Sequence, residues 1–590
     1  MLQSENPGEP SEPMKHWSES GFFWGTAIFI GFCVAILRAV SPELWSSPLL
    51  LIQDDARHFV VWLRQMAQPN LFPSDPIAEY FQALTPVVYK MLFLPTKLFE
   101  VDVVTWQFLF VAPVACLLLV ISAYRLLSLL LHNTTYAGFA TLFLCYTLVD
   151  VALGLPRSFG YSILFFSLSS FLEDKRWLLI ISIFFGVNLY PVAALIACLT
   201  MFCFVLLMFV DEHSLSRKKI ENVVAAGIAG ILGITVFLLG TSGTGPAITL
   251  AEARLLPIFG QHGRTSFFSD TLLAQIFGDG RGGILPLTIG GKAIGPFLSL
   301  GITITVIVLG LYGYKRISKN GPAQIQKNFP RLIISLVAAG IILFAIAYAV
   351  AFKGHLPSKY AKYSIFLVYY FSQIVIVIVF LRKLSGFIPV GIIERLTSLG
   401  KIALFVVAWF AFIAHVSDKA NIIKDTEPAI SSYLRKTPVD AVVAGIAKYI
   451  NNVPAFTNRS VYVSIELLVP YKRDYYNRMA ERIHIIHDLY KSPLGPEFAR
   501  MVEKTGIDFF IVAHDRLKSE RKWINSFPIL SDIPERYIFS ENRWATETCT
   551  IVHGNEHDLI NAECMRNLAL KTNHLLTLTR PTDPNPLQIK

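Results

Sequence analysis

The chain is expected to be a polytopic α-helical membrane protein of about eleven spans, with an extracytoplasmic α/β domain at its C-terminal end. Three observations predict this. Of 590 residues, 53% are hydrophobic and only 16% are charged, where a soluble chain of this length carries about 25% charged residues. The apolar residues also fall in long blocks, many near the ~20 residues that cross a bilayer. After Val416 the composition turns polar and mixed, with short β-rich runs alternating with helical patterns, which is how a small α/β fold reads.

The blocks place spans at roughly 21–40, 104–124, 136–153, 157–172, 177–191, 192–210, 223–241, 296–313, 332–352, 363–381 and 401–416. Asn188, Tyr190 and Pro191 divide the block at 177–210 into two helices. Basic residues then orient the bundle. Lys315, Arg316, Lys319, Lys327 and Arg331 share a loop with no acid among them. Arg217, Lys218 and Lys219 share another, and Arg382, Lys383, Arg395 and Lys401 a third. By the positive-inside rule these loops are cytoplasmic. Residues 1–20 then form a cytoplasmic tail without a signal-peptide pattern, and the first span serves as an uncleaved anchor. The loops at 41–103, 242–295 and 353–362 lie outside, as does everything after about 417. The segment 83–99 is apolar but interrupted by Pro86, Lys90, Pro95 and Lys97. Reading it as a span would reverse every later loop, so it reads as an interfacial helix. The net charge of +10 is mostly the cytoplasmic edge and needs no nucleic acid to explain it.

In the tail, Val439–Ala444, Ser460–Ile465, Asp508–Val512 and Thr548–Val552 read as strands. Tyr471–Tyr490 and Pro496–Lys504 read as helices, the second stopped near Gly506. The domain then spans 417–570, and 571–590 reads as a disordered tail. Tyr471–Tyr476 with Arg478 and Arg482 is either an amphipathic helix with a solvated basic face or a carbohydrate-binding surface of tyrosines and arginines. Asn458-Arg459-Ser460 is a glycosylation sequon. Five of the seven cysteines lie in apolar spans; Cys549 and Cys564 lie in the exported tail, where they could pair. Nothing resembles a zinc-binding Cys/His cluster.

The first outer loop holds the chemistry. Asp54-Asp55-Ala56-Arg57-His58 stands about fourteen residues beyond the first span, and charges that close to a membrane are costly unless they have a task. The run opens a helix in which Asp54, Arg57 and His58 share a face at i, i+3 and i+4. Val60, Leu63 and Met66 lie near the other face, which suits a helix resting on the bilayer surface. An acid to take or orient an acceptor proton, beside cations for a departing phosphate, is what transfer of a lipid-linked group requires. Asp75, Arg264 and the short basic loop that carries Lys359 and Tyr360 add to this set. Lys359 also has a plainer reading, as a span-end side chain that snorkels to headgroups, and glycine-flanked Arg264 one as a charge that solvates a flexible loop. Asp54 or Asp55 also has one, as a helix N-cap.

Asp54-Asp55-Ala56-Arg57-His58 followed by Trp62-Leu63-Arg64-Gln65-Met66 resembles the Asp-Glu-Ala-Arg-Tyr…Arg-Glu-Met motif that opens the first external loop of GT-C glycosyltransferases. The likeness is greatest to the branch with the 4-amino-4-deoxyarabinose lipid A transferases and protein O-mannosyltransferases, and to uncharacterised bacterial members. Leu356-Pro357-Ser358-Lys359-Tyr360 resembles a Leu-Pro-x-Tyr-like turn of the same enzymes. Asp55 stands where the family has Glu, and His58 where it has Tyr. The resemblance implies a GT-C-like membrane domain over 21–416 in a bacterial plasma membrane and a polyprenyl-phosphate sugar as donor. It also implies an inverting transfer to an extracytoplasmic acceptor. Asp54 is then the catalytic carboxylate, or the ligand of a divalent metal such as Mg or Mn, with Asp55 as its partner. Arg57, His58, Asp75, Arg264, Lys359 and Tyr360 would bind substrate or phosphate. A transporter of lipid-linked glycans and a non-catalytic assembly protein of the cell envelope are the alternatives.

Overall fold

The computed structural model describes residues 12–40, 51–131, 133–148, 153–213, 216–240, 245–260, short stretches between 263 and 293, 295–319, 323–353, 356–385, 406–514, 530, 533 and 537–578. The chain forms two compact units. One comprises Met1–Trp45, Ala83–Ser242 and Phe267–Ile422; the other comprises Ser46–Gln82, Gly243–Ser266 and Ile423–Lys590.

The first unit is helical. Among the described residues seven helices are long and apolar enough to cross a membrane: Phe23–Val40, Val103–Leu131, Pro191–Glu212, Arg217–Gly240, Phe297–Ile317, Gln326–Val350 and Pro357–Lys383. The other expected spans coincide with Thr134–Thr147, Gly160–Leu172, Arg176–Leu189 and 406–419. These are shorter: a 14-residue helix such as Arg176–Leu189 rises about 21 Å, against a hydrocarbon core of about 30 Å. Among the described residues, length alone therefore does not confirm the count of eleven. The 177–210 block does divide at Tyr190, and Pro191 begins Pro191–Glu212, where its missing N–H costs no hydrogen bond. Segment 83–99 is not one interfacial helix. Pro86 and Pro95 break it into the end of Pro76–Leu84, Val87–Met91 and Leu94–Phe99, leaving Met91, Leu98 and Phe99 exposed.

Ion pairs tie one end of this unit together. Arg331 reaches Asp211 and Glu212, each at 2.9 Å. Lys219 reaches Asp174 at 2.8 Å, and Arg125 reaches Glu173 at 2.6 Å. Arg331 and Lys219, from two loops assigned to the same side, thus contact acids at the end of Pro191–Glu212 and just after Gly160–Leu172. At the opposite end of Gly160–Leu172, Tyr363 Oη donates to the Arg157 carbonyl (3.0 Å) and Tyr89 Oη to that of Gly154 (2.8 Å).

The second unit is built on a five-stranded sheet. Its strands are β1 (Val442–Ala444), β2 (Ser460–Val461), β3 (Phe509–Ala513), β4 (Thr550–His553) and β5 (His557–Asn561), in spatial order β2-β1-β3-β5-β4. β1 pairs parallel with β2 and β3; β5 pairs antiparallel with β3 and β4. β3 reads Phe-Phe-Ile-Val-Ala and is buried throughout, because both faces of the sheet are covered. Phe510 meets Phe498 and Phe539 on one face, and Phe509 meets Tyr433 on the other. Helix Pro496–Thr505 ends at Gly506 with φ +63°, the left-handed cap that glycine adopts without steric cost. Helix Ala562–Leu578 runs past 571, where the sequence reading begins an unstructured tail. Cys549 and Cys564 form a disulfide.

Two segments from outside the tail complete this unit. Residues 245–260 lie along the start of helix Arg473–Lys491: Ala247 bridges Lys472, Arg473 N–H donates to the Pro246 carbonyl, and Arg473 pairs with Glu252 at 2.6 Å. Gly245 has φ +74°, and a Cβ there would sit 2.7 Å from the Asp474 carboxylate. Residues 51–82 supply part of the core. Trp62 is fully buried, stacked on Phe81 and edge-on to Phe72, and Tyr80 stacks on Tyr475 with ring centroids 3.7 Å apart.

Candidate functional site

The Asp54–His58 run begins from a buried glutamine. Gln53 Oε1 accepts the N–H of Ala56 at 2.9 Å, starting the one-turn helix Ala56–Phe59; Asp55, at the N-cap, makes no side-chain cap bond. A 3₁₀ turn at Val61–Leu63 and a second short helix at Arg64–Ala67 follow. Val60, Val61, Trp62 and Leu63 are all buried within the unit. Val60 and Leu63, two of the three residues assigned to the bilayer face, are therefore turned into protein, while Met66 is half-buried.

Arg57 is the centre of the arrangement. It is buried, and all three guanidinium nitrogens are engaged. Nε donates to the Asp54 carbonyl (2.9 Å), Nη2 to Asp54 Oδ1, and Nη1 to Asn452 Oδ1 at 2.8 Å. The Asp54 side chain, in contrast, is 44% exposed. One rigid fork thus grips the main chain and carboxylate of Asp54 together, while Asn452 fixes the fork. The neighbouring Asn451 orders the loop that follows β2: its Oδ1 accepts from Ser464 Oγ and from the N–H of Glu466. His58 Nε2 lies 3.3 Å from the Glu466 carbonyl, and its ring packs edge-on to Phe81. Arg64, also buried, donates to the Ala455 carbonyl and to Asn458 Oδ1, so the sequon asparagine is held by a guanidinium.

Several expectations change here. Arg57 turns its charge onto Asp54 and Asn452 rather than toward a lipid phosphate. Asp75 is buried, and its Oδ1 accepts the N–H groups of Ile77 and Ala78 at the start of Pro76–Leu84. Burial raises its carboxyl above the usual range, with Ser460 and the Ile77 and Ala78 amides opposing. It is a buried helix cap rather than a side chain open to substrate. Tyr475 and Tyr476 are buried, and Arg482 lies over Tyr462 while donating to its carbonyl. The Tyr471–Arg482 run is therefore mostly packing, not a row of tyrosines open to a sugar. Lys359 and Tyr360 belong to the first unit, in helix Pro357–Tyr363, the lysine half-buried and the tyrosine buried. Arg264 lies outside the described residues.

That helix docks on the turn at Pro156–Phe159. The Tyr161 and Tyr363 rings lie 4.3 Å apart, and Tyr161 Oη contacts the Lys362 carbonyl at 3.4 Å. Arg157, Lys359 and Lys362 therefore stand on two elements that pack together in the first unit. Lys362 and Asn452 were missed in the sequence. Lys362 follows the basic turn already noticed, whereas nothing local marks Asn452, 395 residues from its partner.

The donor set at Asp54 does not match a divalent-metal site. Among the described residues the group of three close His, Cys, Asp or Glu ligands is Glu427, Glu556 and His557, whose ligand atoms lie within 4.8 Å of one another. By composition it suits a divalent ion, but it excludes Asp54, whose Oδ1 is already committed to Arg57.

No protein-family model matches this sequence, and no curated protein matches it. The solved structures similar to this chain include two from Archaeoglobus fulgidus. One is the archaeal oligosaccharyltransferase AglB from Archaeoglobus fulgidus in complex with an inhibitory peptide and a dolichol-phosphate. It is 11% identical, with TM-score 0.49, over 88% of this chain and 72% of that one. The other is the Archaeoglobus fulgidus oligosaccharyltransferase in complex with zinc and sulfate, 11% identical with TM-score 0.46, over 86% and 70%. At these values neither likeness establishes a fold family, and neither lends its chemistry to this chain.

Proposed function

We propose that this chain is a membrane glycosyltransferase that moves a sugar from a polyprenyl-phosphate donor to an extracytoplasmic acceptor by inverting displacement. The observation that carries the reading is the pairing of a buried arginine with a half-exposed carboxylate in the motif that resembles the GT-C signature. A guanidinium spent on orienting one acid, rather than on the core, is the arrangement expected of a positioned base.

In this reading the acceptor hydroxyl attacks the anomeric carbon, the bond to the lipid phosphate breaks, and Asp54 takes the hydroxyl proton. The phosphate leaves as an anion, which a positively charged side chain would stabilise. Arg57 acts through Asp54 as a positioning residue. Asp55, beside it at the N-cap, remains a candidate partner, and no step is routed through a metal. The N-terminus is then cytoplasmic and the site faces outward.

The test is turnover of a polyprenyl-phosphate sugar by purified full-length protein. Asp54→Asn is expected to lower it by about 10²–10⁴-fold without changing the elution profile or the thermal transition. Turnover near wild type in that variant would remove Asp54 from the chemistry and favour an assembly role. Mass analysis of co-purified lipid identifies the donor class directly.

A further inference from the structure

Two helices of the first unit gather positive charge where they begin, and the transferase reading does not use it. Helices Arg176–Leu189 and Arg217–Gly240 run parallel. Arg176 meets Glu221 and Asn222 near the two starts, and Asn188 Nδ2 donates to the Gly233 carbonyl near the end of the shorter helix. Among the described residues this end carries six cations, Arg125, Lys175, Arg176, Arg217, Lys218 and Lys219, against three acids, Glu173, Asp174 and Glu221. The buried cations take two of the acids: Arg125 holds Glu173 and Lys219 holds Asp174. The exposed Lys175, Arg176, Arg217 and Lys218 are left with Glu221 and a share of Glu173. Asp211 and Glu212 add nothing here, because Arg331 and Lys327 answer them. Positive charge is therefore in excess at this end.

We propose that this end of the helix pair is a docking surface for an anionic diacyl phospholipid of the leaflet it borders. Exposed lysines and arginines at a membrane surface attract an anionic headgroup, and the surplus cations supply that attraction. The side chains that follow suit the acyl chains. Trp177, Ile181 and Phe185 recur every four residues on Arg176–Leu189 and are all exposed, the tryptophan by 77%. Ile220, Val224 and Ile228 do the same on Arg217–Gly240. Residues at that spacing share a helix face. From Lys218 to Ile228 the helix rises about 15 Å, half of a hydrocarbon core of about 30 Å. One headgroup and its tails therefore match the patch in length. Trp177, directly after the cations, is the residue type that marks the membrane–water boundary.

Charge complementarity together with the apolar faces selects this occupant. A soluble acidic peptide or a free phosphate answers the cations but leaves the apolar side chains uncovered. A zwitterionic lipid covers those side chains and leaves the excess charge unanswered. Arg217 is 93% exposed, and its pair with Glu221 is a solvated contact one helical turn along. Such contacts contribute little to stability, so this guanidinium is available to a phosphate. The surface is independent of the transferase reading.

The experiment is native mass spectrometry of delipidated full-length protein in detergent. It is titrated with phosphatidylglycerol, with phosphatidylcholine of the same acyl chains, and with glycerol 3-phosphate. Phosphatidylglycerol is expected to bind about tenfold or more tightly than phosphatidylcholine, since each cation near an anionic surface is worth about fivefold in affinity. The paired variant Arg217→Gln, Lys218→Gln should weaken phosphatidylglycerol binding by roughly 10–30-fold and leave phosphatidylcholine unaffected. The paired variant Arg500→Gln, Lys504→Gln removes the same charge from exposed positions of helix Pro496–Thr505 and should change neither. Equal binding of the two lipids overturns the proposal. So does phosphatidylglycerol binding that survives loss of Arg217 and Lys218, or that falls equally in both paired variants. Glycerol 3-phosphate binding as tight as the lipid would overturn it in favour of a free anion.

Discussion

Arg57 shows how one side chain can change its reading once its partners are known. An arginine two residues past a pair of acids in an outer loop reads as a phosphate ligand; buried against Asp54 and Asn452, it reads as a clamp. The two roles give different kinetics. A clamp acts on the geometry of Asp54, so Arg57→Ala is expected to lower kcat by about 100-fold, the scale of a misplaced reacting group, with KM for the lipid donor little changed. Arg57→Lys keeps the charge but loses the fork and falls in between. A rise in KM with kcat preserved would return Arg57 to the donor phosphate. Asp54 and Arg57 were legible in the sequence because charge is expensive beside a membrane. Asn452 was not, because an asparagine in a polar tail carries no such signal.

Among the elements, the segment 245–260 is held by few groups, and they are polar. Glu252 accepts from the N–H of Thr249, reciprocally with the Thr249 hydroxyl, and pairs with Arg473. The Thr249 amide first, and then Arg473, hold its carboxyl down to about 2, against an ordinary value of 4.5. A carboxylate depressed in the folded state stabilises above its ordinary value and loses that contribution as pH falls through the folded one. The anchor is therefore intact above about pH 4.5 and is released between there and about pH 2. Amide exchange of 246–256 should accelerate across that window in wild type, and Glu252→Gln should exchange fast at every pH. Equal protection in the variant would show that the backbone contacts to Lys472 and Arg473 suffice. The Thr249-x-x-Glu252 pattern is a local signal of this helix that the sequence analysis did not use; its partner Arg473 leaves none, since 221 positions separate it from Glu252 in the chain.

For the molecule as a whole, the consequential finding is which segments fold together. The tail beyond 417 reads as a self-contained α/β domain, yet its compact unit also contains Ser46–Gln82 and Gly243–Ser266. Trp62, Phe72 and Phe81 are fully buried in that unit, and loss of one such aromatic costs about 3–5 kcal/mol. A fragment of residues 417–590 alone is therefore expected to lack a cooperative urea transition and to be cleaved readily by protease, whereas fusion to 46–82 restores both properties in part. A stable, cooperative 417–590 fragment would make the outer loop an accessory and revive the reading in which the exported domain works alone.

The sequence by itself determined the helical blocks, the division at Tyr190 and Pro191 and four of the five sheet strands in outline, and it singled out Asp54 as a candidate. Each rests on composition or periodicity within a short window, where burial and turn chemistry leave a local mark. Only the tertiary structure decided that Val60 and Leu63 face protein, that Asp75 is a cap and that Arg57 answers to Asn452. Those outcomes depend on which distant surfaces meet, and the free energy of such a meeting is shared by residues hundreds of positions apart.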